Sequence, residues 1–322
     1  MKLKKIADLK LIPTAPFDFD KTFHKPDHFT SGDNYWEPGV RHQTFILNGK
    51  KLGVVFKNVG TLEKPCINEL IHCNTKLSHE FILSFNEEVK YRYNLNFDLE
   101  PFYKKFGAHK LLGPAIKRMY GMRPGQPSSL YEYLIIGVVL QNTPVGRSIQ
   151  MFKVLLEKYG TPLEFSSKRL WCFWEPGRLK GVSVDELRAL KVGYRAKFIK
   201  KIDDYFSKGK INEEDLRGVN KETQKEELLK LYGVGPATVW YIMFDVFHRW
   251  DTFDHISPWE QKIYSKLFFD KDPENPVSTE KLLRFISGFA PHRHLAIHYF
   301  WEDLWWKHKN GKVGWLQGLI RA

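Results

Sequence analysis

Apolar and polar positions alternate over residues 43–47 and again over 51–57, and Asn48-Gly49 joins the two runs. Asn-Gly tolerates the positive φ of a tight two-residue turn, so the pattern predicts a β-hairpin. Short, strand-like patterning continues to about residue 100, and from Pro101 the period changes. Apolar residues recur at three- and four-residue steps over 130–140, 145–158, 184–190, 195–206, 225–231, 237–247, 259–268, 279–289 and 294–309, predicting a helix in each. Ser183, Asn220 and Ser278 stand at N-cap positions, and Gly160 and Gly193 at C-cap positions. The expected fold class is α+β, with a β-rich N-terminal domain over residues 1–105 and an all-α domain over 106–322. No internal repeat interrupts this division, and residues 121–129 (GMRPGQPSS) form the most loop-like stretch.

The 322 residues are 43% hydrophobic and 27% charged, enough to bury a sizeable core, which excludes disordered and collagen-like chains. The longest apolar run, 134–140, is far shorter than the ~20 residues of a membrane span. The opening MKLKKIADLK lacks the apolar stretch and cleavage site of a secretory signal, so an intracellular location is expected, without membrane contact. Cys66, Cys73 and Cys172 are widely spaced with no CxxC pair, which excludes a disulfide framework and an iron–sulfur or thiolate metal site. His292, His294 and His298 are spaced like a helical face, but without carboxylate or thiolate companions at ligand spacing; no catalytic metal is expected.

Charge narrows the function further. There are 50 Lys and Arg against 37 Asp and Glu, a formal +13. The first 100 residues hold 14 basic and 13 acidic side chains, so nearly the whole surplus follows them. A polyanion-facing surface therefore belongs to the helical part.

The sharpest local signal is LLKLYGVGPAT, residues 228–238. One helix ends near Leu231, two glycines turn the chain, and a second helix starts at about Pro236, where a missing N–H costs nothing. Backbone amides of such a turn and first helical turn are free donors able to hold a phosphate. Asp254 follows in a loop before the next helix, where it reads equally as an N-cap.

Hairpin and aspartate together resemble the helix-hairpin-helix DNA glycosylase superfamily, in which LxxLxGVGxxxA precedes a loop with one essential aspartate. Three further blocks resemble its alkylpurine and 8-oxoguanine branches, which lack an iron–sulfur cluster. YEYLIIGVVLQNTPVGRSIQMFKVLLEKYG is similar to the paired helices carrying a duplex-probing wedge, LRALKVGYRAKFI to the LxxLGxGYRAxYI block, and FAPHRHLAIHYFWEDLWW to the C-terminal PWRSYALLHIW helix. FDFDKTF looks like the opening of the β domain in the same branches, a TBP-like antiparallel sheet.

The resemblance implies a base-excision-repair glycosylase acting, as a monomer, on double-stranded DNA with a damaged base. Asp254 would stabilise positive charge on the sugar and direct water, with Asp251 as the alternate. Phosphate would be held by amides of Gly233, Val234, Gly235 and Ala237, with Arg147, Arg195 and Lys197 around them. Gln141, Asn142 and Thr143 would form the wedge. Tyr241, Trp240, His292 and Trp259 are the candidates for the base pocket, Trp240 and Trp259 reading more readily as core. Bifunctional members carry a nucleophilic lysine where this chain has Ala237, so the resemblance implies a monofunctional enzyme for damaged purines, alkylated ones first. An 8-oxoguanine glycosylase with lyase activity and a non-catalytic DNA-binding protein are the alternatives. Val239 stands where the family has a small alanine, which bears on how closely the helices approach. No cofactor is implied beyond a monovalent cation held by carbonyls under the hairpin.

Overall fold

The computed structural model describes residues 1–26, 32–311 and 313–319. Strands β1 (Lys4–Leu11), β2 (Asn34–Glu37), β3 (Val40–Leu47), β4 (Lys50–Asn58) and β5 (Ile67–Cys73) form an antiparallel sheet in the order β1-β5-β4-β3-β2. The predicted hairpin is β3–β4: Leu47 pairs with Lys50, and Asn48 and Gly49 take φ of 46° and 74°. One sheet face buries Phe45, Val54, Phe56 and Ile71 against Phe85 and Val89 of helix α2 (His79–Arg92). Helix α1 (Phe19–Phe23) completes this core, the Phe23 ring stacking on Tyr93 at 4.1 Å. Helix α2 corrects the strand-like reading of the first hundred residues. Its Ser78 cap accepts from the Phe81 amide, and its buried residues, Phe85, Val89 and Arg92, recur at four- and three-residue steps.

The chain continues through α3 (Glu100–Phe106), α4 (Leu112–Arg118), α5 (Leu130–Leu140) and α6 (Val145–Tyr159) to a strand pair, β6 (Thr161–Phe165) and β7 (Lys168–Cys172). Then come α7 (Val184–Leu187), α8 (Arg195–Ser207), α9 (Glu213–Arg217), α10 (Lys221–Leu229), α11 (Pro236–Asp245), α12 (Pro258–Phe269), α13 (Thr279–Ser287), α14 (Arg293–Lys309) and α15 (Gly314–Gln317). Ser183, Asn220 and Ser278 are N-caps, each accepting from the amide three residues on. The helix expected over 184–190 instead breaks into α7 and a π-helical turn over Arg188–Val192, because Lys191 and Gly193 turn left-handed with φ of 61° and 62°.

The β6–β7 pair corrects the expectation of an all-α part after residue 105. Its turn, Ser166-Ser167, takes φ of 44° and 61° without the Gly or Asn that would announce it. The pair docks on the sheet's second face. The Phe165 ring occupies the space above Gly53, where a Cβ would meet it at 2.4 Å, and Thr44 Oγ1 donates to the Trp171 carbonyl at 2.8 Å.

Two helical cores follow. One joins α5, α6, α8 and α11 through Leu134, Leu155, Ile199 and Ile242; the other joins α3, α4, α12, α13 and α14 through Phe102, Leu112, Tyr264, Phe289 and Tyr299. The fully buried Arg123 ties the N-terminal segment to the second of these, its guanidinium donating to the carbonyls of Thr14, Pro16, Phe97 and Gly121. Among the described residues no helix is long and apolar enough to cross a membrane.

Candidate functional site

The hairpin forms as the sequence predicts, with α10 ending at Leu229 and α11 opening on Pro236. Gly233 has φ of 87°, and a Cβ there would meet the Phe198 ring at 2.7 Å, so glycine is required twice over. The Val234 side chain is buried in the first helical core, and its amide donates to the Leu231 carbonyl at 3.0 Å. That bond removes the Val234 amide from the donors expected to face a phosphate. The amides of Gly233, Gly235 and Ala237 make no hydrogen bond among the described residues and remain as donors at the start of α11. Val239 packs, almost fully buried, in the core below.

The loop between α5 and α6 lies against this hairpin. Gln141 Nε2 donates to the Gly233 carbonyl at 3.0 Å, and Arg195 donates to the Gln141 carbonyl. Arg195 is buried, so its guanidinium braces the loop from beneath rather than facing solvent. Asn142, left-handed at φ of 49°, is the exposed tip, with half-buried Thr143 beside it and the exposed apolar side chains of Leu140 and Val145 on its flanks. Arg147 and Lys197 are exposed. Arg147 Nη2 donates to the Lys191 carbonyl at 2.7 Å, and the Lys197 ammonium lies 5.2 Å from the Tyr232 ring centre.

Beside the hairpin a cavity of about 670 Å³ opens between the N-terminal sheet, α5, α11, α12 and α14, within the ~300–1,000 Å³ of small-molecule pockets. Ala237, Trp240 and Tyr241 reach it from α11. The Trp240 ring stacks on His294 at 4.1 Å, and His294 stacks in turn on Phe244 at 3.9 Å. Burial pushes the His294 imidazole down to about 3, so this aromatic wall is uncharged at neutral pH. Tyr241 donates its hydroxyl to Glu260 Oε1 at 2.8 Å, and the Glu260 carboxylate also accepts from the Ser257 amide, capping α12.

His294, Ile297, His298, Trp301 and Glu302 form one continuous face of α14 against the cavity. Across from them stands Lys25, buried, with its ammonium 3.7 Å from Glu302 Oε1. Neither Lys25 nor Glu302 was singled out in the sequence. Glu302 was readable as the carboxylate companion the histidines lacked, four residues after His298 and 3.9 Å from its Nε2. Lys25 carried no signal, since nothing local tells that residues after α1 reach α14. Among the described residues no group of three or more His, Cys, Asp or Glu could hold a metal, and the three cysteines are separate free thiols.

Two expected pocket residues do not line the cavity. The His292 ring stands edge-on to Phe102 at 5.7 Å, outside the cavity wall. Trp259 Nε1 donates to the Leu319 carbonyl at 2.7 Å while its ring packs on Trp301 at 5.4 Å, so Trp259 holds the C-terminal segment instead.

Of the two loop aspartates, Asp251 is committed. It accepts from the Arg293 amide at 3.1 Å and from Nε at 3.0 Å, bonds that hold its carboxyl below the usual range. Asp254 is exposed and makes no hydrogen bond among the described residues, and the helix cap belongs to Ser257. Its neighbours Phe253 and Ile256 are buried and pin the loop. The Phe253 ring meets Trp240, of the cavity wall, edge-on at 4.8 Å. Asp254 itself is not part of that wall.

No family model matches the chain. The DNA-3-methyladenine glycosylase of Bacillus subtilis is 26% identical over 202 residues, 62% of this chain and 62% of that protein. The probable N-glycosylase/DNA lyase of Methanothermobacter thermautotrophicus is 25% identical over 206 residues, 57% of this chain and 64% of that protein. The chain thus spans less than two thirds of the length of the curated relatives it matches. Among solved structures, the 3-methyladenine DNA-glycosylase from Archaeoglobus fulgidus matches with a TM-score of 0.72 over 95% of this chain and 100% of that one, at 16% identity. The 8-oxoguanine glycosylase/lyase of Clostridium acetobutylicum, in complex with double-stranded DNA, matches with a TM-score of 0.65 over 96% and 98%, at 21% identity. These last two likenesses establish the fold.

Proposed function

We propose that the chain is, like the relatives it matches, a DNA glycosylase of the helix-hairpin-helix superfamily, and that it excises damaged purines, alkylated ones first, from double-stranded DNA by hydrolysis, leaving an abasic site. The observation that carries this reading is the half-open, aromatic-walled cavity directly beside a hairpin with free amides. A base can be read there only after leaving the stack, at a cost of a few kcal/mol that is smallest for damaged or mispaired bases.

In this reading the amides of Gly233, Gly235 and Ala237 hold a phosphate, Arg147 and Lys197 add charge, and Asn142 at the loop tip enters the duplex between Leu140 and Val145. Gln141 and Arg195 hold that tip against the hairpin. The flipped base lies against Trp240 and His294. The C1′–N9 bond breaks with its electron pair leaving on the base. The Asp254 carboxylate stabilises the positive sugar, and the water oxygen closes on C1′ while its proton passes to Asp254. Ala237, a methyl group at the position of a nucleophilic lysine, supports hydrolysis over lyase chemistry. A monovalent cation under the hairpin would draw on the Leu231 and Gly233 carbonyls, each of which accepts one hydrogen bond and keeps a second lone pair, and would reinforce the phosphate site. Residues 1–105, with a TBP-like sheet, would form a separate domain from the glycosylase part, in an intracellular monomer.

Purified protein incubated with duplexes carrying single lesions, read with and without hot alkali and with borohydride, tests the reading. Base release, strand breaks only after alkali and no protein–DNA adduct are expected. Breaks without alkali, or a trapped adduct, would overturn the monofunctional assignment. The 8-oxoguanine alternative has its own support in Gly193-Tyr194-Arg195-Ala196, which match that branch's block, and the same panel decides between them.

A further inference from the structure

The loop that carries Asp254 is built onto the first turn of α14. That helix has no side-chain cap of its own at His292, and the amides of Arg293, His294 and Leu295 have no carbonyl to meet inside the helix. The loop supplies all three acceptors. Asp251 Oδ1 accepts from the Arg293 amide at 3.1 Å, and the Trp250 carbonyl accepts from the His294 and Leu295 amides at 3.0 and 3.3 Å. The Arg293 side chain closes the joint: Nε donates to Asp251 Oδ1 at 3.0 Å, and Nη2 donates to Oδ2 at 3.2 Å and to the Asp251 main-chain carbonyl at 2.5 Å. A planar guanidinium on the carboxylate and the carbonyl of one residue fixes its side chain and its backbone together. Hydrogen bonds to Asp251 and, more weakly, the charges of Asp251 and Asp254 hold the Arg293 pKa above its ordinary value. Phe253, buried against Trp240, is the second anchor, and Asp254 follows it in the chain with no hydrogen bond of its own among the described residues.

We infer that Arg293 is a positioning residue for base release, setting where the Asp254 carboxylate stands relative to the cavity. This rests on the reading of Asp254 as the group that acts on the sugar. From His294 onward α14 is also a wall of the cavity, so the carboxylate and a bound base share one support. Misplacing a reacting group by about 1 Å costs on the order of a hundredfold in rate. Duplex binding through the hairpin amides and the exposed Arg147 and Lys197 does not pass through this joint. Asp251→Asn keeps a side-chain oxygen and the main-chain carbonyl as acceptors, so the clamp survives it. Removing the guanidinium takes away every side-chain bond of the clamp at once.

The test follows single-turnover release of 3-methyladenine and 7-methylguanine from methylated duplex at saturating enzyme, corrected for spontaneous loss. Duplex affinity is measured alongside across a salt series. Arg293→Met is expected to slow release about tenfold or more, with affinity within about twofold of wild type and the salt slope unchanged. Arg293→Lys, which keeps one charged donor for the Asp251 acceptors, should fall between the two. If Arg293→Met does not fold, as a circular-dichroism melt would show, Arg293→Lys decides, with release slowed about threefold or more at unchanged affinity. A weaker affinity with a slope reduced by about one would mean that Arg293 meets a phosphate. Release at the wild-type rate in the folded variants would mean that Asp254 is placed without the clamp. Either result overturns the inference and leaves the role of Asp254 standing. Release retained in Asp254→Asn would sink that role and the inference with it, as would absence of release from every lesion.

Discussion

The two loop aspartates separate by what they touch. The Asp251 carboxylate accepts three bonds from Arg293, whereas Asp254 makes none among the described residues. Asp254→Asn is therefore expected to abolish base release, by at least a hundredfold in single-turnover rate, with duplex affinity within a few-fold of wild type. Asp251→Asn should leave release nearly intact and lower stability by only ~0.2–1 kcal/mol, as expected for a partly exposed pair; loss of activity in Asp251→Asn with retention in Asp254→Asn would reverse the roles. A third carboxyl makes a prediction about stability alone. Glu69, fully buried on β5, is pushed by burial from 4.5 up to about 8. The folded state then holds a proton that the unfolded chain has lost, so stability is full below about pH 4.5 and falls as pH rises toward 8. Glu69→Gln should flatten that fall, on the order of a few kcal/mol between the two limits, in urea melts taken across this range. An unchanged pH profile would mean that Glu69 ionises in the folded protein without penalty.

At the scale of elements, legibility followed how local the signal was. The β3–β4 hairpin was readable because Asn48-Gly49 states its own φ values, and the turn into α11 because two glycines and a proline fix it. Helix α2 was missed although Ser78 caps it, because the surrounding strands set the reading of the whole region. The β6–β7 pair was missed because its two-residue turn is made by Ser166 and Ser167, which take the positive φ such a turn demands without the Gly or Asn that would announce it. The same divide runs through the candidate site: Tyr241, which lines the cavity, was placed by its distance from the hairpin glycines, whereas Lys25 and Glu302 meet only because distant segments fold together. The hairpin's dependence on glycine is itself testable. Gly233→Ala combines a φ of 87° with a Cβ 2.7 Å from Phe198, so it is expected to weaken duplex binding about tenfold or more by displacing the turn. Gly235→Ala, with φ of −104° and open space around its Cβ, should be far milder. Equal effects of the two in a fluorescence-anisotropy titration would show that the turn's shape does not matter for binding.

On the scale of the molecule, charge and architecture divide the same way. The sheet part is nearly neutral, and the surplus lies in the part that carries the hairpin, the loop tip and the cavity's α11 wall. Binding to duplex should accordingly weaken steeply with salt, since each phosphate neutralised releases counterions, at about 0.9 per contact in the slope of log affinity against log salt. The three basic residues expected at this surface are not equivalent. Lys197 and Arg147 are exposed, whereas Arg195 is buried beneath the loop, donating to Gln141. Lys197→Ala and Arg147→Ala should each weaken binding uniformly across sequences and reduce the slope by about one. Arg195→Met should leave the slope unchanged, because no phosphate charge is lost, and instead lower lesion release by freeing the tip that Gln141 holds to the hairpin. A slope reduced as much by Arg195→Met as by Lys197→Ala would mean that the guanidinium leaves its buried position when DNA binds and meets the backbone directly.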